Sequence, residues 1–246
     1  MITSVKNETI KNWSKLKKKK YREKMQQFII EGDHLIEEAI SSGWEIDAIV
    51  AVENKTFDHS DNSLKVVRVT EPVMLHLSET KSPQGILAIV KMKAFNITTQ
   101  KRLLLLDEIQ DPGNLGTMIR TADAAGFDAV LLGRGTVDVY NDKTIRSTQG
   151  SLFHLPILPV DLLEEIPRLK AEGVNILVST LERAKTIDQV NPTDKMGLVV
   201  GNEGNGVSDA ILELADERIH IPIYGQAESL NVSVAAGIMM YALQMK

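Results

Sequence analysis

The chain has 246 residues, 43% hydrophobic and 25% charged, with 28 Lys and Arg against 33 Asp and Glu. This length suits two modest domains or one large one, and the composition is that of a globular protein. The lack of cysteine excludes a disulfide framework, cysteine-ligated zinc and a thiol nucleophile. No apolar run approaches the ~18 residues of a membrane span, and the basic start has no apolar core behind it to make a secretory signal, so the expected location is the cytoplasm.

Within residues 1–30 there are nine Lys and Arg (Lys6, Lys11, Lys15, Lys17, Lys18, Lys19, Lys20, Arg22, Lys24) against Glu8 and Glu23. A basic arm on an acidic body suits contact with a polyanion at one place, and Lys17, Lys18, Lys19, Lys20 and Arg22 are the candidate contacts. A solvated helix face is the other reading of such a run. Next comes the apolar run Phe28-Ile29-Ile30, and then a helix with Leu35, Ile36, Ala39 and Ile40 on one stripe and Gly43 as its stop. Residues 46–52, 65–69 and 85–92 read as strands and 72–80 as a short helix, which makes a small α/β layer domain over residues 1–92.

Residues 93–102 are polar and read as a linker. Beyond them the alternation resumes more strongly, in a second domain over 103–246. The short continuous apolar runs 103–107, 129–133, 174–179 and 197–201 are expected for parallel strands buried on both faces. Between the first two lies a helix with Leu115, Met118, Ile119, Ala122 and Ala125 on one stripe and Gly126 as its C-terminal cap. A second helix is expected in DLLEEIPRLKAEG. The closing stretch SLNVSVAAGIMMYALQ is apolar nearly all round, with Ser229 as candidate N-cap, so it is expected to be buried in the core or against another subunit.

Three segments place polar side chains where strands give way to helices, the edge at which α/β folds bind ligands. In DEIQDPGNLGTMIR (107–120), Asn114 opens a helix and Arg120 lies off its apolar stripe. A guanidinium there suits a two-pronged phosphate contact, or a surface ion pair. In GNEGNG (201–206), three glycines allow close approach of a ligand to the backbone. Glu203 is either a site residue or a carboxylate favouring the helix that begins near Ser208. In the third segment, Ser229-Leu230-Asn231 opens the last helix. The glycine spacing is neither a dinucleotide fingerprint nor a P-loop, which argues against a nucleotide-dependent oxidoreductase. No nucleophile elbow is present. His34, His59, His76, His154 and His220 are scattered and read as structural, and no metal is expected.

Taken together, Asn114–Gly126, Gly201–Gly206 and Ile221-Pro222-Ile223 with Ser229–Ala235 resemble the three signature motifs of the SpoU/TrmH family of RNA 2'-O-ribose methyltransferases, in the SPOUT superfamily. The resemblance covers roughly 103–246. It implies a parallel-sheet α/β domain with a deep trefoil knot, a homodimer joined through the knotted region, and S-adenosyl-L-methionine held near Thr180, Gly201, Ile221 and Leu230. It further implies that Arg120 acts on the ribose hydroxyl with the RNA phosphate, that Asn114 orients it, and that Glu203, Ser229 and Asn231 shape the site. The first domain, through SPQGILAIV at 82–90, resembles the ribosomal-protein-L30e-like substrate-binding domain attached to many of these enzymes. This favours ribosomal RNA over transfer RNA as substrate. The alternatives are a transfer-RNA methyltransferase, or an RNA-binding or ribosome-assembly factor that keeps the fold without catalysis.

Overall fold

The structure is a computed structural model that describes residues 1–57, 64–97 and 101–245. His59 and part of the expected linker, residues 98–100, lie outside the described residues. The chain forms two compact units, Met1–Ala94 with Tyr140–Phe153, and Phe95–Val139 with His154–Lys246.

The first unit contains α1 (Glu8–Lys15), α2 (Lys19–Met25), β1 (Gln27–Glu31), α3 (Asp33–Ser41), β2 (Ile46–Val52), β3 (Val66–Val69), α4 (Glu71–Leu77) and β4 (Ile86–Lys91). Its four-stranded sheet runs β1-β4-β2-β3, with β4 antiparallel to both neighbours and β2 parallel to β3. The basic N-terminal region is part of this unit. Asn7 starts α1 by accepting from the N–H groups of Thr9 and Ile10. Ile10, Trp13 and Leu16 then enter the core with Val73, Leu77 and Leu87.

Arg22 corrects the expectation placed on it. It is only 6% exposed, and its Nη1 donates to the carbonyls of Leu16 (2.8 Å) and Lys17 (2.9 Å), at the C-terminal end of α1 where carbonyls lack helical partners. The Lys17 ammonium, half-buried, donates to the Ser78 carbonyl at 2.8 Å. Lys18, Lys19 and Lys20 remain exposed.

The second unit begins with β5 (Arg102–Leu106), α5 (Pro112–Ala124) and β6 (Ala129–Leu132). The chain next contributes α6 (Asp142–Thr148) to the first unit. It continues with β7 (Ile157–Pro159), α7 (Leu162–Ala171), β8 (Asn175–Ser179), β9 (Lys185–Thr186), β10 (Met196–Val200), α8 (Asp209–Leu212), β11 (Glu217–His220) and α9 (Val232–Gln244). All neighbouring strands of the seven-stranded sheet, order β7-β6-β5-β10-β8-β11-β9, are parallel. Leu103–Leu106 and Leu198–Val200 are buried throughout, as continuous apolar strands require. From β5 the chain builds outward through β6 and β7, then crosses to build β8 and β11 on the other side, with β10 between β5 and β8. The carboxyl ends of these central strands therefore share one edge at a topological switch point.

Two features depart from the expected layout. Residues 140–153, expected in the second domain, pack with the first unit. The Tyr140 ring lies 4.5 Å from that of Phe28 and the Phe153 ring 5.3 Å from that of Trp44, whose Nε1 donates to the Phe153 carbonyl at 3.0 Å. Thr144, Ile145 and Thr148 are buried alongside them. The N-cap of α9 is Asn231, not Ser229: its Oδ1 accepts from the N–H groups of Ser233 (2.9 Å) and Val234 (3.3 Å). Ala236, Met239, Met240 and Leu243 bury one face of α9, whereas Val234, Ile238 and Tyr241 on another are 42–51% exposed. Among the described residues no helix is long and apolar enough to cross a membrane.

Candidate active site

Loops leaving β8, β10 and β11, with the approach to α9, enclose a cavity of about 500 Å³ in the second unit. Thr180, Gly201, Ile221 and Leu230 line it together, as do Glu203, Ser229 and His220. Val200, Val207, Leu212, Ala235 and Met239 supply apolar lining. The loop after β10 explains its glycines. Asn202 and Gly206 exchange backbone N–H···O bonds at 2.9 and 3.0 Å, so the chain doubles back at once. A Cβ on Gly201 would lie 2.2 Å from the Gly206 carbonyl carbon and the Val207 nitrogen, so only glycine fits there.

The hairpin turns Glu203 toward the loop between β5 and α5. Its carboxylate accepts from the N–H groups of Gln110 (3.1 Å) and Asp111 (3.0 Å) and from Asn114 Nδ2 (3.1 Å). It therefore sits at the start of α5 and not at α8, the alternative suggested by sequence order. Burial pushes the Glu203 carboxyl up, but the Asp111 N–H, the Asn114 amide and the Gln110 N–H outweigh it and hold the group below the usual carboxylate range. A carboxylate only accepts, so Asn114 must turn its NH₂ toward Glu203 and its carbonyl oxygen away. That oxygen accepts from Asn231 Nδ2 at 3.2 Å, and Asn231 in turn spends its own oxygen on the cap of α9. One polar row thus joins the starts of two helices.

Asp111 caps α5 by accepting from the Asn114 N–H, with Pro112 at the first helical position. Six residues beyond Asn114 on this helix, Arg120 is exposed and has no hydrogen-bond or ion-pair partner among the described residues. The histidines form no ligand set: His154 Nδ1 lies 2.7 Å from Asp123, His34 Nε2 lies 3.1 Å from the Gln149 carbonyl, and no cluster suited to a metal exists among the described residues. Sequence reasoning missed the backbone partners Gln110 and Asp111, and it had no signal for them, because they act through N–H groups that every residue carries.

Residues 101–241 match the SpoU rRNA Methylase family, and residues 7–88 match the MRM3-like substrate binding domain. The 23S rRNA (guanosine(2553)-2'-O)-methyltransferase RlmP of Bacillus subtilis is 45% identical over 99% of this chain and 98% of its own. An AdoMet-bound rRNA methyltransferase from Sinorhizobium meliloti superposes with a TM-score of 0.89 at 29% identity, covering 99% of this chain and 97% of the other. The SpoU methyltransferase AviRb of Streptomyces viridochromogenes, in complex with AdoMet, gives 0.87 at 25% identity over 98% of both chains. With its parallel sheet, glycine-walled cavity and polar row, this chain belongs to the SpoU rRNA methylase family.

Proposed function

We propose that the protein transfers a methyl group from S-adenosyl-L-methionine to a ribose 2'-hydroxyl of ribosomal RNA. The observation that carries this reading is the juxtaposition of two features at one sheet edge. A cavity walled by Gly201 opens there, and Glu203, which lines it, anchors a fixed amide row. The bound structures from Sinorhizobium and Streptomyces hold AdoMet, and Thr180, Gly201, Ile221 and Leu230 fit that donor, because the cavity is apolar in its depth and its wall approaches as bare backbone. The donor supplies an already activated methyl group, so the protein's task is alignment and exclusion of water rather than metal chemistry. Arg120 binds the RNA phosphate and the ribose oxygen with its forked donors. It is too weak a base to serve chiefly as proton acceptor. Asn114 and Asn231, held in one orientation by Glu203, present N–H donors beside it, and Ser229 closes the cavity rim.

The choice of ribosomal RNA is supported by the named substrate of the Bacillus relative and by the match of the first unit to a substrate-binding domain. Lys18, Lys19 and Lys20 add exposed positive charge to that unit. Two further elements belong to this proposal. The apolar face of α9 (Val234, Ile238, Tyr241), which meets Thr117 and Thr121 of α5 in an open groove, forms a homodimer interface. The chain is threaded as a trefoil knot in the cytoplasmic enzyme, a reading supported by the entry of β10 between the earlier strands β5 and β8. An I238E variant that stayed dimeric by light scattering would refute the interface.

The test is isotope-labelled methyl transfer from S-adenosyl-L-methionine into ribosomal RNA from a strain lacking this gene. A labelled, alkali-resistant linkage that vanishes with Arg120→Ala is expected. Label appearing only in transfer RNA would replace the substrate. Donor binding with no transfer to any RNA or ribosomal particle would leave a non-catalytic RNA-binding protein.

A further inference from the structure

Asn202 stands beside the polar row without being one of its members, and its bonding is unusually complete for an exposed hairpin. Its Oδ1 accepts from the N–H groups of Gly204 (2.9 Å) and Asn205 (3.1 Å), while its Nδ2 donates to the Glu108 carbonyl at 2.9 Å. Among the described residues Glu108 is one of four non-glycine residues with positive φ (+56°), a conformation that residues other than Gly, Asn and Asp seldom adopt. Its carbonyl also receives Gln110 Nε2 at 3.3 Å, and that same amide donates to the Gly135 carbonyl at 2.7 Å. The strained turn therefore aims one carbonyl at Asn202, and the next residues aim two N–H groups at Glu203. Donors run in both directions between the two loops, within three residues on each side.

We propose that Asn202 is a positioning residue that clamps the loop after β10 to the loop after β5, so that the cavity wall and the Glu203–Asn114–Asn231 row are set as one piece. Residues 201–207 form both the wall and the anchor of Glu203. A hairpin loosened at residue 202 lets Glu203 leave the Gln110 and Asp111 N–H groups, and Asn114 is then free to rotate its amide. The left-handed Glu108 is the element that stores this register, since an extended residue there would turn the carbonyl away. This inference rests on the methyl-transfer reading for its kinetic consequence, but not for its structural one.

Asn202→Asp separates the clamp from the turn. The introduced carboxylate still accepts from Gly204 and Asn205, yet it cannot donate to the Glu108 carbonyl and repels it. Two measurements on the full chain decide the matter. The first is the ¹⁵N side-chain amide signal of Asn114, which reports its bond to Glu203 whether or not any RNA is methylated. The second is methyl transfer to ribosomal RNA, with kcat and donor affinity read separately. The expected result is a displaced, broadened Asn114 signal and a kcat reduced about tenfold to a hundredfold, with donor Kd changed by less than about threefold. An Asn114 signal identical to that of the unsubstituted protein would overturn the clamp. So would a variant whose kcat is unchanged while donor Kd rises, because Asn202 would then serve the cavity wall alone. If the unsubstituted protein methylates no RNA while Asn114 still shifts in the variant, the clamp stands and the functional reading fails.

Discussion

Arg22 and Arg120 carry the same guanidinium, and the amino-acid sequence marks both as nucleic-acid contacts, yet the two units use them in opposite ways. In the first unit Arg22 is buried and its Nη1 donates to the carbonyls of Leu16 and Lys17. In the second, Arg120 stands in solvent with no partner among the described residues. The carboxylates repeat the contrast. Glu31, at the end of β1, is saturated by the hydroxyls of Ser78 (2.6 Å) and Thr80 (2.7 Å) and the N–H of Gln84 (3.3 Å), and holds a loop down. Glu203 also receives backbone N–H groups, but its third donor is a side-chain amide that leads on to Asn231. A charged group that holds a neighbouring loop or helix end in place serves the fold. One whose bonds lead outward, or that has none, is available for chemistry.

The arginines give the sharpest way to break this contrast. Arg120→Ala is expected to lower methyl transfer by about 10²–10³-fold, the loss typical of removing one preorganised donor, with the thermal midpoint unchanged. Arg22→Ala is expected to destabilise the first unit by about 1–3 kcal/mol, by leaving two carbonyls without donors, and to leave donor binding intact. Activity assays paired with thermal melts would show the reverse pattern if the assignments were exchanged. Gly201→Ala should come next in effect. Its methyl would meet backbone at 2.2 Å, which no rotamer relieves, so calorimetric donor binding should weaken by at least about tenfold, with a stability loss of about 1–3 kcal/mol.

The exposed lysines test the other side of the comparison. Replacing Lys18, Lys19 and Lys20 by Gln should weaken RNA binding and flatten its dependence on salt by up to about two units of log–log slope, at ~0.7 per single-strand phosphate contact. Arg22, being internal, should add nothing to that slope. Filter binding at several salt concentrations would read both, and an unchanged slope in the lysine variant would mean that these side chains are only solvated.

Much of this architecture is visible in the primary structure because burial on both faces leaves an unbroken apolar signal: Leu103–Leu106 and Leu198–Val200 could hardly be anything but central strands. Gly201 is legible for a similar reason, since a glycine after such a strand marks a close backbone approach. β7 and β11 are not legible, because Pro159, Glu217 and His220 interrupt the apolar pattern at the sheet's outer strands. Nor is the membership of residues 140–153 in the first unit, which depends on Tyr140 and Phe153 meeting Phe28 and Trp44 from more than a hundred residues away. Arg22 is hidden by its company. Next to four lysines a buried arginine looks like a fifth exposed cation, and only the open carbonyls at the end of α1 reveal its use. Ser229 and Asn231 are equally good caps by type, and the choice falls to Asn231 because its amide also reaches Asn114.

The smallest effect, and the one most specific to Glu203, is its link between pH and stability. The Asp111, Asn114 and Gln110 donors outweigh burial and hold its folded-state pKa below the ordinary value of 4.5. A carboxyl depressed on folding contributes stability that is fully present above the unfolded value and is lost as pH falls through the folded one. Urea unfolding of the unsubstituted protein and of Glu203→Gln should therefore differ by a constant amount from neutrality down to about pH 5. The two should converge below 4.5, as the unsubstituted protein gives up that contribution and the variant has none to lose. Because the side chain is exposed, solvent screens the charge and the gap will be small. Its sign and its pH window carry the information. A gap that widened on acidification would mean a carboxyl raised by burial, which would suit an acid–base group rather than the fixed acceptor that orients Asn114.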